Sequence, residues 1–127
     1  MFSFSYDANR RLLHIVQQGY WTIEEFRDFE QAFLAHHRTI ELTHNSYRVL
    51  ADCRDYPVQS PEVGEAFATL FRMLMDQNHG HYAIVIASML NKVQARRVIP
   101  QSNVGLFAAD EWDRAMAWLF EDGSLPG

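Results

Sequence analysis

Cys53 is the only cysteine among 127 residues, so no internal disulfide can form and nothing points to an oxidising compartment. A stretch of about 18 consecutive apolar residues, the length that spans a bilayer, is absent, and residues 1–11 lack a basic region followed by an apolar one. The sequence therefore predicts neither a membrane span nor a signal peptide, and a cytoplasmic protein. Basic charge is also short: 11 Lys and Arg stand against 16 Asp and Glu, a net charge of −5, whereas nucleic-acid and anionic-membrane binders carry a basic excess. There is no repeat, no low-complexity tract, no Gly-rich phosphate loop and no Gly-x-Ser-x-Gly elbow. Six histidines are present, but none stands at zincin or zinc-finger spacing from another ligand. The expectation is a protein without metal, cofactor or catalytic activity.

What is abundant is apolar side chains, 48% of the chain against 21% charged, the balance of one globular domain with a single core. Tyr82-Ala83-Ile84-Val85-Ile86-Ala87 is an unbroken apolar run ending at Ser88. A strand with one wet face alternates; this one does not, so it reads as a central parallel strand covered on both faces. Phe2, Phe4 and Tyr6 alternate with polar residues, and Leu13-His14-Ile15-Val16 follows the turn residues Asp7-Ala8-Asn9-Arg10, predicting an opening hairpin with the first strand at an edge. Thr22 and Glu25 form a capping-box pair, after which Ile23, Phe26, Phe29 and Phe33 recur at helical spacing to about Arg38. Tyr47-Arg48-Val49-Leu50-Ala51 is a third strand closed by Asp52, followed by a loop over 53–59.

Ser60-Pro61-Glu62 is a helix start, with a favoured cap, a proline suited to the first turn and an acid that complements the dipole. Val63, Ala66, Phe67, Leu70, Phe71 and Leu74 then mark a buried face, and the helix ends near Asn78. A shorter helix is predicted over 88–98, stopped by Pro100, then a strand over 103–107 and a last helix capped by Asp110. The order is β-β-α-β-α-β-α-β-α, an α/β domain of residues 1–127 with a mainly parallel sheet, one antiparallel edge strand and helices on both faces.

Gly19-Tyr20-Trp21-Thr22-Ile23-Glu24-Glu25, Leu50-Ala51-Asp52, Tyr82-Ala83-Ile84-Val85 and Leu106-Phe107 with Ala115-Met116-Ala117-Trp118-Leu119 give the chain a resemblance, over nearly its whole length, to the SpoIIAA-like superfamily. That superfamily includes the STAS domains, among them anti-sigma-factor antagonists, and small bacterial STAS/SEC14-like proteins. The resemblance implies a non-enzymatic regulatory module acting through protein contacts, or alternatively a carrier or sensor of a small apolar or acidic ligand. STAS antagonists are switched by phosphorylation of a Ser or Thr at a helix start, and Ser60 is the nearest positional match. Gln59 precedes it and Pro61-Glu62 follow, so the Asp-Ser-small-Gly pattern is missing, and capping alone accounts for the serine.

Open α/β sheets bind ligands outside the carboxyl ends of their strands, which directs attention to Arg54, Ser88, Lys92 and Arg96. Lys92 and Arg96 lie four apart on one helical face, and with Ser88 they would receive a phosphate or carboxylate; the plainer reading is a solvated basic face. Cys53 has no neighbouring signature of a nucleophile, and an inert filler is the simpler role. Phe71 and Met75 on the second helix, and Trp118 and Phe120 on the last, widen the apolar faces beyond what one sheet contact needs. That width predicts a symmetric homodimer, with an apolar pocket as the alternative cover.

Overall fold

The computed structural model describes residues 1–87, 95–96 and 103–122. β1 (Phe2–Asp7) and β2 (Leu12–Gln18) form the opening hairpin, followed by α1 (Ile23–Glu41), β3 (Arg48–Asp55), α2 (Pro61–Gln77), β4 (Tyr82–Ile86) and β5 (Val104–Ala108). A 3-10 turn, Ala109–Glu111, then leads into α3 (Trp112–Leu119). The five strands lie in the order in which they occur in the chain, β1 antiparallel to β2 and every later neighbour parallel. The architecture is thus α/β with a mixed, mostly parallel sheet. Between β4 and β5, where a helix is expected over 88–98, only residues 95–96 are described, and they are helical; Ser88 and Lys92 lie outside the described residues.

Local chemistry explains most of the boundaries. Asp7 Oδ1 accepts the N–H groups of Asn9 and Arg10 at 3.0 and 3.3 Å, closing the hairpin turn. Thr22 Oγ1 accepts from Glu25 N–H at 3.2 Å while Glu25 Oε1 accepts from Thr22 N–H at 3.3 Å, the reciprocal pair that starts α1. Ser60 Oγ accepts from Val63 N–H at 3.2 Å. Ser60→Ala should therefore lower stability by about 1 kcal/mol and Ser60→Asp leave it nearly unchanged, since aspartate caps equally well; urea denaturation measures both. Asp110 does not cap α3. Instead it lies in the 3-10 turn, and Glu111 Oε1 reaches back to the N–H of Ala108 at 2.9 Å.

Strand parity divides the core in two. Leu13 and Ile15, Val49, Ala51 and Cys53, and Tyr82, Ile84 and Ile86 face α1 and α2, where Trp21, Phe26, Phe29, Phe33, Phe67 and Phe71 cover them. Leu12, Leu50, Ala83, Val85 and Phe107 face the other way onto Ala115 and Leu119 of α3. All five residues of β4 are buried, as the unbroken apolar run requires, with β3 and β5 on either side. The strand is interior to the sheet, one place from its β5 edge.

The apolar width of α2 has an internal cover. Phe71 is 3% exposed and Met75 8%, with Phe71 set 4.9 Å from the Tyr82 ring and Met75 Sδ accepting from Asn103 Nδ2 at 3.2 Å. Both were expected at a dimer contact; buried as they are, neither offers surface to a second copy. Trp118 is half-buried and stacks on His81 with ring centroids 4.0 Å apart. Phe120 is 37% exposed and carries the Arg48 guanidinium 4.6 Å above its ring.

Candidate functional site

A cavity of about 510 Å³ opens at the carboxyl ends of the parallel strands, on the α1/α2 face. The sheet contributes Gln17 of β2, Cys53 of β3, and Ile84 and Ile86 of β4; α2 contributes Gly64, Glu65, Phe67, Ala68 and Phe71. Residues 56–61 form a further wall, and Ala95 also lines the cavity. The position is the one expected for a sheet of this kind.

Its walls are fixed by two segments tied to one another. Gly19, at φ +88°, turns the chain out of β2, and its N–H donates to Asp55 O at 3.0 Å. Gln59 bridges back: its Oε1 accepts from Trp21 N–H at 2.7 Å and its Nε2 donates to Gly19 O at 3.1 Å and to Pro57 O at 2.6 Å. Trp21, sealed between the Phe29 and Tyr56 rings at 5.1 and 4.8 Å, locks the β2–α1 turn behind this wall. Strand β3 runs past the expected stop at Asp52, because Cys53 pairs with Ile86 and Asp55 with Gln18. The extension makes Cys53 part of the cavity floor. There, desolvation pushes its thiol well above the ordinary range, so it is a neutral apolar group rather than a thiolate.

Of the charged residues singled out from the sequence, the two that are described, Arg54 and Arg96, are outside the lining. Arg54 makes a two-pronged contact with the Asp52 carboxylate, Nε to Oδ1 at 2.9 Å and Nη2 to Oδ2 at 2.8 Å, and its guanidinium lies 4.4 Å over the Trp112 ring. The hydrogen bonds from Arg54 hold the Asp52 carboxyl below its usual range. Arg96 donates from Nη2 to Val104 O at 2.9 Å. Ser60 lines the cavity, but its hydroxyl is engaged in capping. Nor is the start of α2 a strong anion site: Pro61 has no N–H, while Val63 and Gly64 donate to Ser60 Oγ and Ser60 O.

Sequence reasoning passed over Gln17, Tyr56 and Gln59. The signal for Gln17 lay in strand parity: Leu13, Ile15 and Gln17 share one face, so a polar residue stands where two apolar ones precede it. Gln17 is 3% exposed. Tyr56 and Gln59 sit in a loop, where no periodicity marks them. On the opposite face a smaller cavity of about 250 Å³ is lined by Asp7, Arg10, His14 and Trp112 among others, with Asp7 and Arg10 paired at 2.8 Å. Among the described residues no three His, Cys, Asp or Glu side chains converge as metal ligands, and no helix is long and apolar enough to cross a membrane. Neither a family model, nor a curated protein, nor a solved structure matches this chain.

Proposed function

We propose that this chain is a binding module for a small, uncharged, largely apolar molecule held between α2 and the carboxyl ends of β3 and β4. The observation that carries this reading is the cavity of about 510 Å³. Ligand sites occupy roughly 300–1,000 Å³ and are built mostly from apolar side chains, and Phe67, Phe71, Ile84 and Ile86 supply such a wall here. Transfer of an apolar molecule from water to such a wall favours binding.

Charge selects between the two ligand classes that the resemblance implies. The described lining includes one carboxylate, Glu65, and neither Arg54 nor Arg96. Among the described lining residues an anionic ligand would meet Glu65 and no cation, so the apolar ligand is the better match. The SpoIIAA-like assignment is part of the same proposal. It is supported by a mainly parallel sheet with one antiparallel edge and helices packed on both faces. The protein-contact reading rests on the resemblance alone; the homodimer rests on wide apolar helix faces, of which Phe71 and Met75 are buried within the chain while Phe120 is 37% exposed.

Titration with N-phenyl-1-naphthylamine, a neutral fluorophore, and with its sulfonated relative 8-anilinonaphthalene-1-sulfonate tests the proposal. Saturable one-to-one binding of the neutral probe is expected, with the anion at least about tenfold weaker, the equivalent of about 1.4 kcal/mol. Gly64→Leu supplies the control. A Cβ at Gly64 meets nothing within 4 Å, so the new side chain extends into the cavity and should abolish binding. Replacing a helical glycine also favours the folded state by about 0.5–1 kcal/mol, so lost binding would not reflect lost structure. Absence of saturable binding, or equal binding by Gly64→Leu, would overturn the proposal.

A further inference from the structure

β1 ends the sheet, with β2 on one side and, among the described residues, no strand on the other. Open edges are ordinarily guarded by charge, proline, a bulge or a covering segment, because their unpaired N–H and C=O groups invite another strand. On the opposite edge Arg96 stands against β5, donating from Nη2 to Val104 O at 2.9 Å. β1 has no such guard. From Phe2 to Tyr6 it carries neither charge nor proline, and it pairs with β2 over six consecutive residues without a break in register. Met1 and Gln18 exchange both backbone bonds, Met1 N to Gln18 O at 3.0 Å and Gln18 N to Met1 O at 2.9 Å. Antiparallel pairs alternate, so Ser3, Ser5 and Asp7 also turn their backbone groups to β2, and those of Phe2, Phe4 and Tyr6 face the open edge. The strand is held in place from within: Phe2 and Phe4 pack on Phe29 at 5.5 and 5.3 Å, and the Tyr6 hydroxyl meets His44 Nδ1 at 3.0 Å.

We infer that the β1 edge is an interface that joins two copies of this chain into one continuous sheet about a two-fold axis at Phe4. What selects a second copy over any other extended segment is the strand's own sequence, which reads nearly alike in both directions. Antiparallel pairing centred on Phe4 sets Phe4 beside its own copy, Phe2 beside the second copy's Tyr6 and Ser3 beside the second copy's Ser5. Aromatic thus meets aromatic on the α1 face, where all three rings are only half-buried within one chain, and serine meets serine on the other. Aromatic pairs set across neighbouring strands are among the favourable ones. The axis uses the free edges of both copies at once, so assembly stops at two. None of the β1 residues lines the larger cavity, so the interface is independent of the ligand reading.

Sedimentation equilibrium of the wild type and of two double variants tests the interface. The Ser3 and Ser5 side chains are exposed, so charged residues there leave the fold intact. Ser3→Lys with Ser5→Lys sets lysine opposite lysine twice across the seam and should weaken the dimer at least about tenfold. Ser3→Lys with Ser5→Glu sets lysine opposite glutamate twice and should dimerise at least as tightly as the wild type. Amide hydrogen exchange reads the same edge without mutation: the N–H groups of Phe2, Phe4 and Tyr6 should exchange fast in dilute protein and at least about tenfold more slowly once the dimer forms. A wild type that stays monomeric at about 100 μM, a dimer that both double variants keep or both lose, growth beyond two copies, or Phe4 exchange that ignores concentration would each overturn the proposal.

Discussion

Val85→Asp should yield a chain that does not fold. Val85 is fully buried between Leu50, Ala83, Phe107 and Leu119 on the α3 face of the sheet, and β4 has a hydrogen-bonded neighbour on each side. An aspartate there must either ionise without a partner or bury a neutral carboxyl without one, at a cost above about 4 kcal/mol. That is comparable with the whole stability of a small domain, about 5–15 kcal/mol. Val85→Thr keeps the shape and adds only a hydroxyl, so it should fold and lose about 1–3 kcal/mol, which guanidinium denaturation can measure. Cooperative melting of Val85→Asp at the wild-type temperature would contradict the burial of β4 on both faces.

The reason this strand was legible from sequence is that an uninterrupted apolar run has few other homes. Thr22 with Glu25, and Ser60 with Pro61, were legible because caps act within a few residues and owe little to the rest of the fold. The end of β3 was not. Asp52, Arg54 and Asp55 look like the start of a loop, and only pairing with β2 and β4, set by distant residues, keeps the chain extended through Asp55. The width of α2 misled for a similar reason. Phe71 packs on Tyr82 of β4 and Met75 meets Asn103, partners far along the chain that the local helical pattern does not reveal.

The candidate site was half legible. The rule that ligands gather at the carboxyl ends of parallel strands located the cavity, but Arg54, the basic side chain nearest in sequence to Cys53, lies on the other face of the sheet. Successive residues of β3 alternate between the two sides of the sheet. Cys53 therefore points into the cavity, while Asp52 lies on the other side, in reach of the guanidinium that rests on Trp112 of α3. A shift of one residue separates the Asp52–Arg54 ion pair from the apolar pocket. Gln17 carried a signal in its parity with Leu13 and Ile15, one that becomes readable only once the inward face of β2 is known.

Gly80→Ala should be among the most damaging single-methyl changes in the molecule. Gly80 follows α2 and leads into β4, in a place where three segments meet. The Asn78 side-chain oxygen accepts both Tyr47 N–H at 2.9 Å and Gly80 N–H at 3.2 Å, and Gly80 O accepts from Asn103 Nδ2 at 3.1 Å. A Cβ at Gly80 would lie 2.1 Å from Tyr47 O and 2.8 Å from Tyr47 C, both backbone atoms that cannot swing aside as a side-chain tip does. Relief requires β3 and the α2–β4 connection to part, which breaks the bonds at Asn78 and unseats Tyr47, whose hydroxyl meets His37 Nδ1 at 2.7 Å. Overpacking alone costs about 1–3 kcal/mol, and each buried hydrogen bond lost with it adds about 1 kcal/mol or more. A loss of about 3–5 kcal/mol is therefore expected from denaturant midpoints. Gly64→Ala, one methyl at an open helical site, should move the midpoint the other way by about 0.5–1 kcal/mol. Equal stability of the two variants would contradict the close approach of Gly80 to Tyr47, since backbone entropy alone predicts a similar change at both.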